Sequence, residues 1–427
     1  MAVHIVEEAN RCLGCKRPRC VEGCPISTNI PEVIRLFKQG DMETAGKMLF
    51  DNNPLSLVCS LVCCHEKQCE GHCVRGIKDV PVHFSSIELF VSDLYLDRMA
   101  IECKPSNGHR AAVIGGGPAG IAVATVLARE GFAATIFDSK DKLGGVMRYG
   151  IPEFRLPRTV LDRIARRLAE MGVKFRASTT IGGALEIGDL MRDGYEAVFV
   201  GTGVWRPRTL GMRGESLANV HFAMDYLGNP DAFELGETVA VIGVGNSAMD
   251  VARTALRHGA RHVRLYARTR EVHASTEELD YAQLEGAEIV YGHRIVELTD
   301  AGPLFEVTEY DEAGAVLGTS PEAVLAPSDS TVIAISQGPK NKLVLTTPGL
   351  ECAEDGLLVV DERGMTTVDG VFAAGDVVTG SNTVVHAVAA AKETARAMAD
   401  YMLGMGGRGG RVERTGAFLA LHWASSD

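Results

Sequence analysis

The sequence predicts an α/β fold preceded by a separate helical domain, and three observations predict it. Nine of the eleven cysteines crowd between Cys12 and Cys73, helical periodicity fills the segment around them, and the pattern strand, glycine turn, helix then occurs twice. At 427 residues, with 46% hydrophobic and 23% charged residues, the chain has room for two or three domains with ordinary cores. A formal net charge of -12 leaves no excess of Lys and Arg to neutralise phosphates, which argues against nucleic acid as a partner.

The N-terminal part reads as helical. Between Pro31 and Phe50 the apolar residues Val33, Leu36, Phe37, Ala45, Met48 and Leu49 recur at helical intervals, and a second amphipathic stretch runs from Ser86 to Met99. Pro105, Ser106, Asn107 and Gly108 form a turn-rich linker, so a boundary is expected after residue 105. Met1 to Asn10 carries Glu7 and Glu8 and lacks the apolar core of a signal peptide, which predicts a cytoplasmic chain with reduced thiols. The longest uncharged stretch, Ala111 to Ala128, holds Gly115, Gly116, Gly117 and Pro118 near its start. It reads as a glycine turn rather than a membrane span.

Reduced, clustered cysteines point to metal. Cys12-x2-Cys15-x4-Cys20-x3-Cys24-Pro25 is close to the bacterial ferredoxin run, with a different middle gap, and in such runs the fourth cysteine serves a second cluster. Cys59, Cys63, Cys64, Cys69 and Cys73 supply further thiolates, enough for two [4Fe–4S] clusters. Zinc also takes four thiolates, and spacing alone does not separate the two metals. The Cys-Pro ending and the domain that follows favour iron–sulfur. His65, His72 and His83 fit no ligand pattern and read as surface or packing residues.

Two dinucleotide sites follow. In Gly115-x-Gly117-Pro118-Ala119-Gly120 the first glycine permits the tight turn, the second lets backbone approach a pyrophosphate, and the third lets helix and strand pack closely. Thr135 to Phe137 reads as the next strand and ends at Asp138, placed to bind adenosine ribose hydroxyls. The second turn is Gly243-x-Gly245-Asn246-Ser247-Ala248. Its following strand, His262 to Tyr266, ends at Ala267, where an acid would favour NAD(H), and Arg268 and Arg270 come next, placed to hold a 2′-phosphate. NADP(H) is expected, with NAD(H) as the alternative. Solvated surface charge is the plain reading of the two arginines.

With Asn53-Pro54-Leu55 and Cys63-x5-Cys69-x3-Cys73 after it, the cysteine run resembles the N-terminal domain of the glutamate synthase small subunit, and dihydropyrimidine dehydrogenase begins similarly. The resemblance extends over nearly the whole chain. It implies Cys12, Cys15, Cys20 and Cys73 around one cluster, and Cys24, Cys63 and Cys69 around the other with an acid or amide, matched by Glu88, as fourth ligand. Cys59 and Cys64 remain spare. Leu143-Gly144-Gly145, Gly150 to Pro157 and Gly370 to Asp376 resemble the same flavoproteins, which implies FAD at the first site. By that likeness Gly375 and Asp376 lie near the ribityl chain, and the helix after Thr383, opening at Val384, points its N-terminus at the flavin ring.

The fold that follows is an N-terminal α-helical iron–sulfur domain and two Rossmann-like dinucleotide-binding domains, with the NADP domain inserted in the FAD domain. The expected divisions are 1–105 for the clusters, 106–233 and 330–427 for FAD and the C-terminal tail, and 234–329 for NAD(P)H. In that tail Gly404 to Gly410 reads as a flexible segment, and Phe418 to Trp423 as an apolar patch, core or docking surface.

Nicotinamides deliver two electrons as hydride and clusters pass one at a time, so a flavin between them reconciles the numbers. Positioning carries such catalysis, and no catalytic side chain is assigned. No cysteine lies between Cys103 and Cys352, which separates the chain from thioredoxin reductase and its dithiol chemistry. No site for a final substrate is evident. The resemblance implies a larger catalytic or electron-accepting subunit, as in glutamate synthase, a split dihydropyrimidine dehydrogenase, or a bifurcating complex working with ferredoxin. A carrier or scaffold with a degenerate nicotinamide site is the competing class, and the intact turn from Gly243 to Ala248 argues against it.

Overall fold

The computed structural model describes residues 4–310 and 316–405, so Phe418 to Trp423 and the glycines beyond Met405 lie outside the described residues. In the N-terminal domain, helices Ile30–Lys38, Met42–Asn52 and Phe84–Arg98 bury Val33, Ile34, Leu49, Ile87 and Val91 in one core. The periodic stretch from Pro31 to Phe50 is two helices, because Gly40 turns the chain at φ 76° and the Asp41 carboxylate caps the next helix by accepting from the Thr44 N–H at 3.0 Å. Cys12, Cys20, Cys24, Cys69 and Cys73 all border this core. All eleven cysteines are unbridged.

The first α/β domain is a five-stranded parallel sheet in the order Val371–Ala373, Ala197–Val200, Arg110–Ile114, Ala133–Phe137, Lys174–Arg176. Its central strand is buried on both faces, Ala111 and Val113 in one core and Ala112 and Ile114 in the other, so it reads as a continuous apolar run without alternation. The C-terminal segment thus returns to complete the sheet begun at Arg110.

The second α/β domain repeats the plan with Val220–Phe222, Ser330–Ile333, Thr238–Ile242, His262–Tyr266 and Glu288–Val290, all parallel. This sheet draws on both sides of the expected insertion, 234–329. Val220–Phe222 is a three-residue edge strand too short to announce itself by periodicity, and Ser330–Ile333 is its fully buried neighbour. Between the domains the two chain passages pair with each other, Arg206–Pro207 running antiparallel to Gln337–Gly338. On the other side Arg155 reaches into the second domain. Its Nη1 donates to both Asp250 carboxylate oxygens at 2.9 Å, and its Nε stands 2.7 Å from Glu278 Oε1, an ion-pair contact outside hydrogen-bond alignment. Phe154 beside it lies under the Arg257 guanidinium, 4.1 Å from ring centre.

The helical domain is docked on the first α/β domain by the long helix Val384–Met402. Leu55, Leu57, Val58 and Cys59 share a core with Val385, Val388 and Ala391. Lys392 donates to the Asp51 carbonyl at 3.3 Å and to the Asn52 carbonyl, capping the end of helix Met42–Asn52. Arg129 pairs with Asp51 at 2.6 Å.

Candidate functional site

At the first glycine turn each glycine has a separate reason. Gly115 takes φ 105°, and a Cβ there would stand 2.4 Å from the Gly201 carbonyl oxygen. One on Gly120 would stand 1.9 Å from the Gly115 carbonyl oxygen. A Cβ on Gly117 would meet nothing nearer than the Gly145 Cα at 3.8 Å, so the backbone there is open to a ligand. Helix Pro118–Arg129 starts from this glycine. Gly145, at φ 53°, brings its own backbone against Gly117.

The turn opens into a cavity of about 430 Å³ at the carboxyl ends of the strands, where open parallel sheets bind ligands. Of the residues expected to hold FAD, Gly115, Gly117, Pro118, Ala119, Asp138, Gly145, Asp376, Thr383 and Val384 line it. Gly120, Gly144 and Gly375 do not; Gly144 and Gly375 adopt φ 132° and 78°, and all three shape the backbone beneath. Asp138 accepts from the Gly116 N–H at 2.6 Å and the Lys140 N–H at 2.8 Å, while its burial pushes the carboxyl up. Asp376 is pushed up to about 6 by burial. Thr383 precedes the nineteen-residue helix Val384–Met402, whose N-terminus faces the cavity.

Lys140, Tyr149, Thr179, Trp205, Asp225 and Lys342 also line the cavity and were not singled out in the sequence. A signal existed for the first of the linkers: Gly201-Thr-Gly203 directly follows strand Ala197–Val200, a third glycine turn at the same sheet edge. No cysteine lines the cavity, and Cys103 and Cys352 are exposed.

The second turn repeats the first. Gly243 takes φ 126° with the Ala334 carbonyl oxygen 2.4 Å from where a Cβ would be, and around Gly245 a Cβ would meet nothing within 4 Å. Helix Asn246–Arg257 begins there, with Ser247 in its first turn. The Asn246 side chain is engaged: Oδ1 accepts from the Ser275 N–H at 2.8 Å, and Nδ2 faces the Cys64 sulfur at 3.9 Å. Arg268 is exposed and Arg270 lies over the Tyr310 ring at 4.7 Å, both just past strand His262–Tyr266. Ala267, the residue that ends this strand, is 3% exposed.

The cysteines separate into two groups. Cys12, Cys15, Cys20 and Cys73 line one small cavity, with Cys69 at its wall. Burial, reinforced by Cys73 and Cys12, pushes Cys20 up to about 11. In the second group Cys69 lies within electrostatic range of Cys24 and Glu88, and Cys63 of Glu88 and Cys69. Glu88, buried inside helix Phe84–Arg98, is pushed well above the usual carboxylate range by desolvation and then by Cys59. Cys59, a spare in the sequence reading, belongs to this group. Its neighbourhood pushes the Cys63 thiol up, and its sulfur accepts from Asn53 Nδ2 at 3.2 Å. Among the described residues no three His, Cys, Asp or Glu side chains close on a point where a single metal ion would sit, while Cys12, Cys15, Cys20 and Cys73 around one cavity are the four soft thiols that a cubane takes. Of the histidines, His65 is buried and His83 Nδ1 meets Glu70 at 3.1 Å, so both are packing residues.

Two dinucleotide folds joined by paired linkers, with a ligand cavity at the first and a cysteine-rich domain packed upon it, define a two-dinucleotide-domain flavoprotein with an iron–sulfur module. Residues 2–100 match the family model described as dihydropyrimidine dehydrogenase domain II, 4Fe-4S cluster, and residues 109–391 match pyridine nucleotide-disulphide oxidoreductase. The chain belongs to the pyridine nucleotide-disulphide oxidoreductase family, in the group that includes the glutamate synthase small chains, and is an NAD(P)H-dependent oxidoreductase carrying FAD and a 4Fe–4S domain.

Glutamate synthase [NADPH] small chain of Azospirillum brasilense is 32% identical over 92% of this chain and 88% of its own. The NAD-dependent dihydropyrimidine dehydrogenase subunit PreT of Salmonella typhimurium is 31% identical over 93% and 94%. Among solved structures, Mycobacterium tuberculosis FprA in complex with NADPH superposes with a TM-score of 0.58 at 18% identity, covering 70% of this chain and 85% of that one, a likeness of fold. The thioredoxin reductase of T. acidophilum shares that fold too, at a TM-score of 0.53 and 21% identity over 69% of this chain and 98% of that one. Among the described residues no helix is long and apolar enough to cross a membrane.

Proposed function

We propose that this chain is the electron-input subunit of a glutamate synthase-like complex, working in the cytoplasm. It takes hydride from NADPH and delivers single electrons through two [4Fe–4S] clusters to a larger partner. The observation that carries this reading is the helix Val384–Met402, whose N-terminus lines the first cavity while its body packs on helix Ser56–Val62, which Cys63 follows. One helix thus joins the flavin-type site to the cysteine domain.

The FAD that fits the first cavity supplies the exchange between a two-electron hydride donor and one-electron acceptors. The chain's own part is positioning. The open backbone at Gly117 receives a pyrophosphate at the N-terminus of helix Pro118–Arg129, Asp138 and Asp376 offer acceptors to sugar and ribityl hydroxyls, and the Val384 helix N-terminus favours negative charge near the ring. Gly243, Gly245 and Ser247 hold the nicotinamide dinucleotide's phosphates in the same manner, and Arg268 its 2′-phosphate. Cys12, Cys15, Cys20 and Cys73 ligate one cluster; Cys24, Cys63, Cys69 and Glu88 ligate the other.

A second reading, the electron-input subunit of a dihydropyrimidine dehydrogenase, is favoured by Ala267, which leaves one arginine where a 2′-phosphate site commonly uses two. Anaerobic titration of the cluster-loaded chain with NADPH and then NADH, following flavin bleaching, tests both. Bleaching by NADPH supports the first reading, bleaching by NADH alone the second, and bleaching by neither removes both. Co-purification with a subunit acting on glutamine and 2-oxoglutarate, or on uracil, identifies the partner.

A further inference from the structure

We infer that the surface over Cys12, Cys15 and Cys73 is the electron exit, and that it fits an acidic protein face surrounding a one-electron centre. This rests on the electron-input reading above. Leu13, Ile77 and Val80 are 64%, 68% and 52% exposed, and they flank the cysteine cavity, Leu13 within its wall and Ile77 closing the short helix after Cys73. Arg11 ties the Val80 segment to the Cys12 loop, donating to the Pro81 carbonyl at 3.0 Å. Large exposed apolar side chains grouped beside a redox site let a partner approach closely and exclude water.

Charge selects the partner. Lys16, Arg17 and Arg19, all exposed, sit between Cys15 and Cys20, and exposed Lys78 lies next to Ile77. Among the described residues none of the four has an ion-pair partner, whereas Asp79 is already held by Arg75 at 2.8 Å and by Arg11 at 3.5 Å. Glu22 is the nearby acid that stays unpaired. In a chain of net charge -12 this collar is a local reversal of sign. Most of the surface repels an acidic protein and this face attracts it, which orients the encounter and raises its rate. Each encounter passes one electron. One NAD(P)H therefore reduces two acceptor molecules and leaves NAD(P)⁺ and one proton.

The test uses the cluster-loaded full chain with NADPH or NADH, an acidic [2Fe–2S] ferredoxin as protein acceptor, and menadione, a neutral acceptor, in parallel. Ferredoxin reduction is expected to fall at least about tenfold from low to 0.3 M salt, and the K16E/R17E variant to lose about tenfold in kcat/KM at low salt. The same variant should keep its iron content, its cluster spectrum and its menadione rate, and K16R/R17K should restore ferredoxin reduction. Equal ferredoxin rates in K16E/R17E and wild type, or a wild-type chain that reduces menadione but not ferredoxin, would overturn the inference. If menadione is not reduced, the nicotinamide-to-flavin reading has failed instead; mixing the chemically pre-reduced chain with ferredoxin then reads the exit face alone, with the same expected and overturning results.

Discussion

Arg155, in the first α/β domain, donates from Nη1 to both oxygens of Asp250 in the second, at 2.9 Å, with the two side chains 11% and 6% exposed. The pair is not isolated, since Glu278 lies beside it and is itself held by Arg253 at 2.8 Å. Breaking a buried pair from one side strands the opposite charge. Arg155→Met should therefore destabilise the chain by about 3–5 kcal/mol in urea unfolding, and Arg155→Lys should not restore it, because a point charge cannot serve two carboxylates at once. Wild-type stability in the methionine variant would remove this contact from the interdomain joint.

The two cysteine groups predict separable losses. Cys15→Ser and Cys24→Ser should each lower bound iron and acid-labile sulfide by about half, while Cys64→Ser, whose thiol faces Asn246, should leave both unchanged. Iron and sulfide assays of the purified variants decide it, and full iron content in Cys24→Ser would sink the second ligand set.

Arg268 should set cosubstrate preference. Arg268→Ala is expected to raise the KM for NADPH about tenfold or more and to change that for NADH by less than about twofold. Steady-state kinetics with both nucleotides, using menadione as acceptor, reads the ratio; an unchanged ratio means that Arg268 is surface charge.

Asp376 gives a pH dependence with a definite sign. Burial raises its carboxyl from 3.8 to about 6, so the folded chain binds this proton more tightly than the unfolded one. The resulting contribution to stability is complete below pH 3.8 and is lost as pH rises towards 6. Flavin-free Asp376→Asn should accordingly be more stable than wild type at pH 7, by about 2 kcal/mol for a partly screened group, and the two should converge near pH 4. Urea midpoints at the two pH values check it, and a constant difference would contradict it.

The legible parts of the fold are those where one residue type is forced by backbone geometry. Gly115, Gly120 and Gly243 have no room for a Cβ, so their spacing announced both dinucleotide turns. Cysteine spacing likewise announced the metal domain, but not that Cys59 would join Cys63 and Glu88, since a helical offset of four is also an ordinary core spacing. The cavity's far wall stayed unread: Trp205 and Lys342 reach it from the two chain passages, and single residues at the ends of linkers leave no periodic trace. Val220–Phe222 escaped for a related reason, being an edge strand placed by its neighbour rather than by its own pattern.

The ribbon of Arg206–Pro207 against Gln337–Gly338 has a mechanical meaning. Two separate tethers would let the second α/β domain tumble; two strands bonded side by side leave it one easy motion, a swing about their common line. Arg155 then acts as the latch on the free edge of the door, and the distance between the two ligand turns becomes a single angle rather than a freely varying gap.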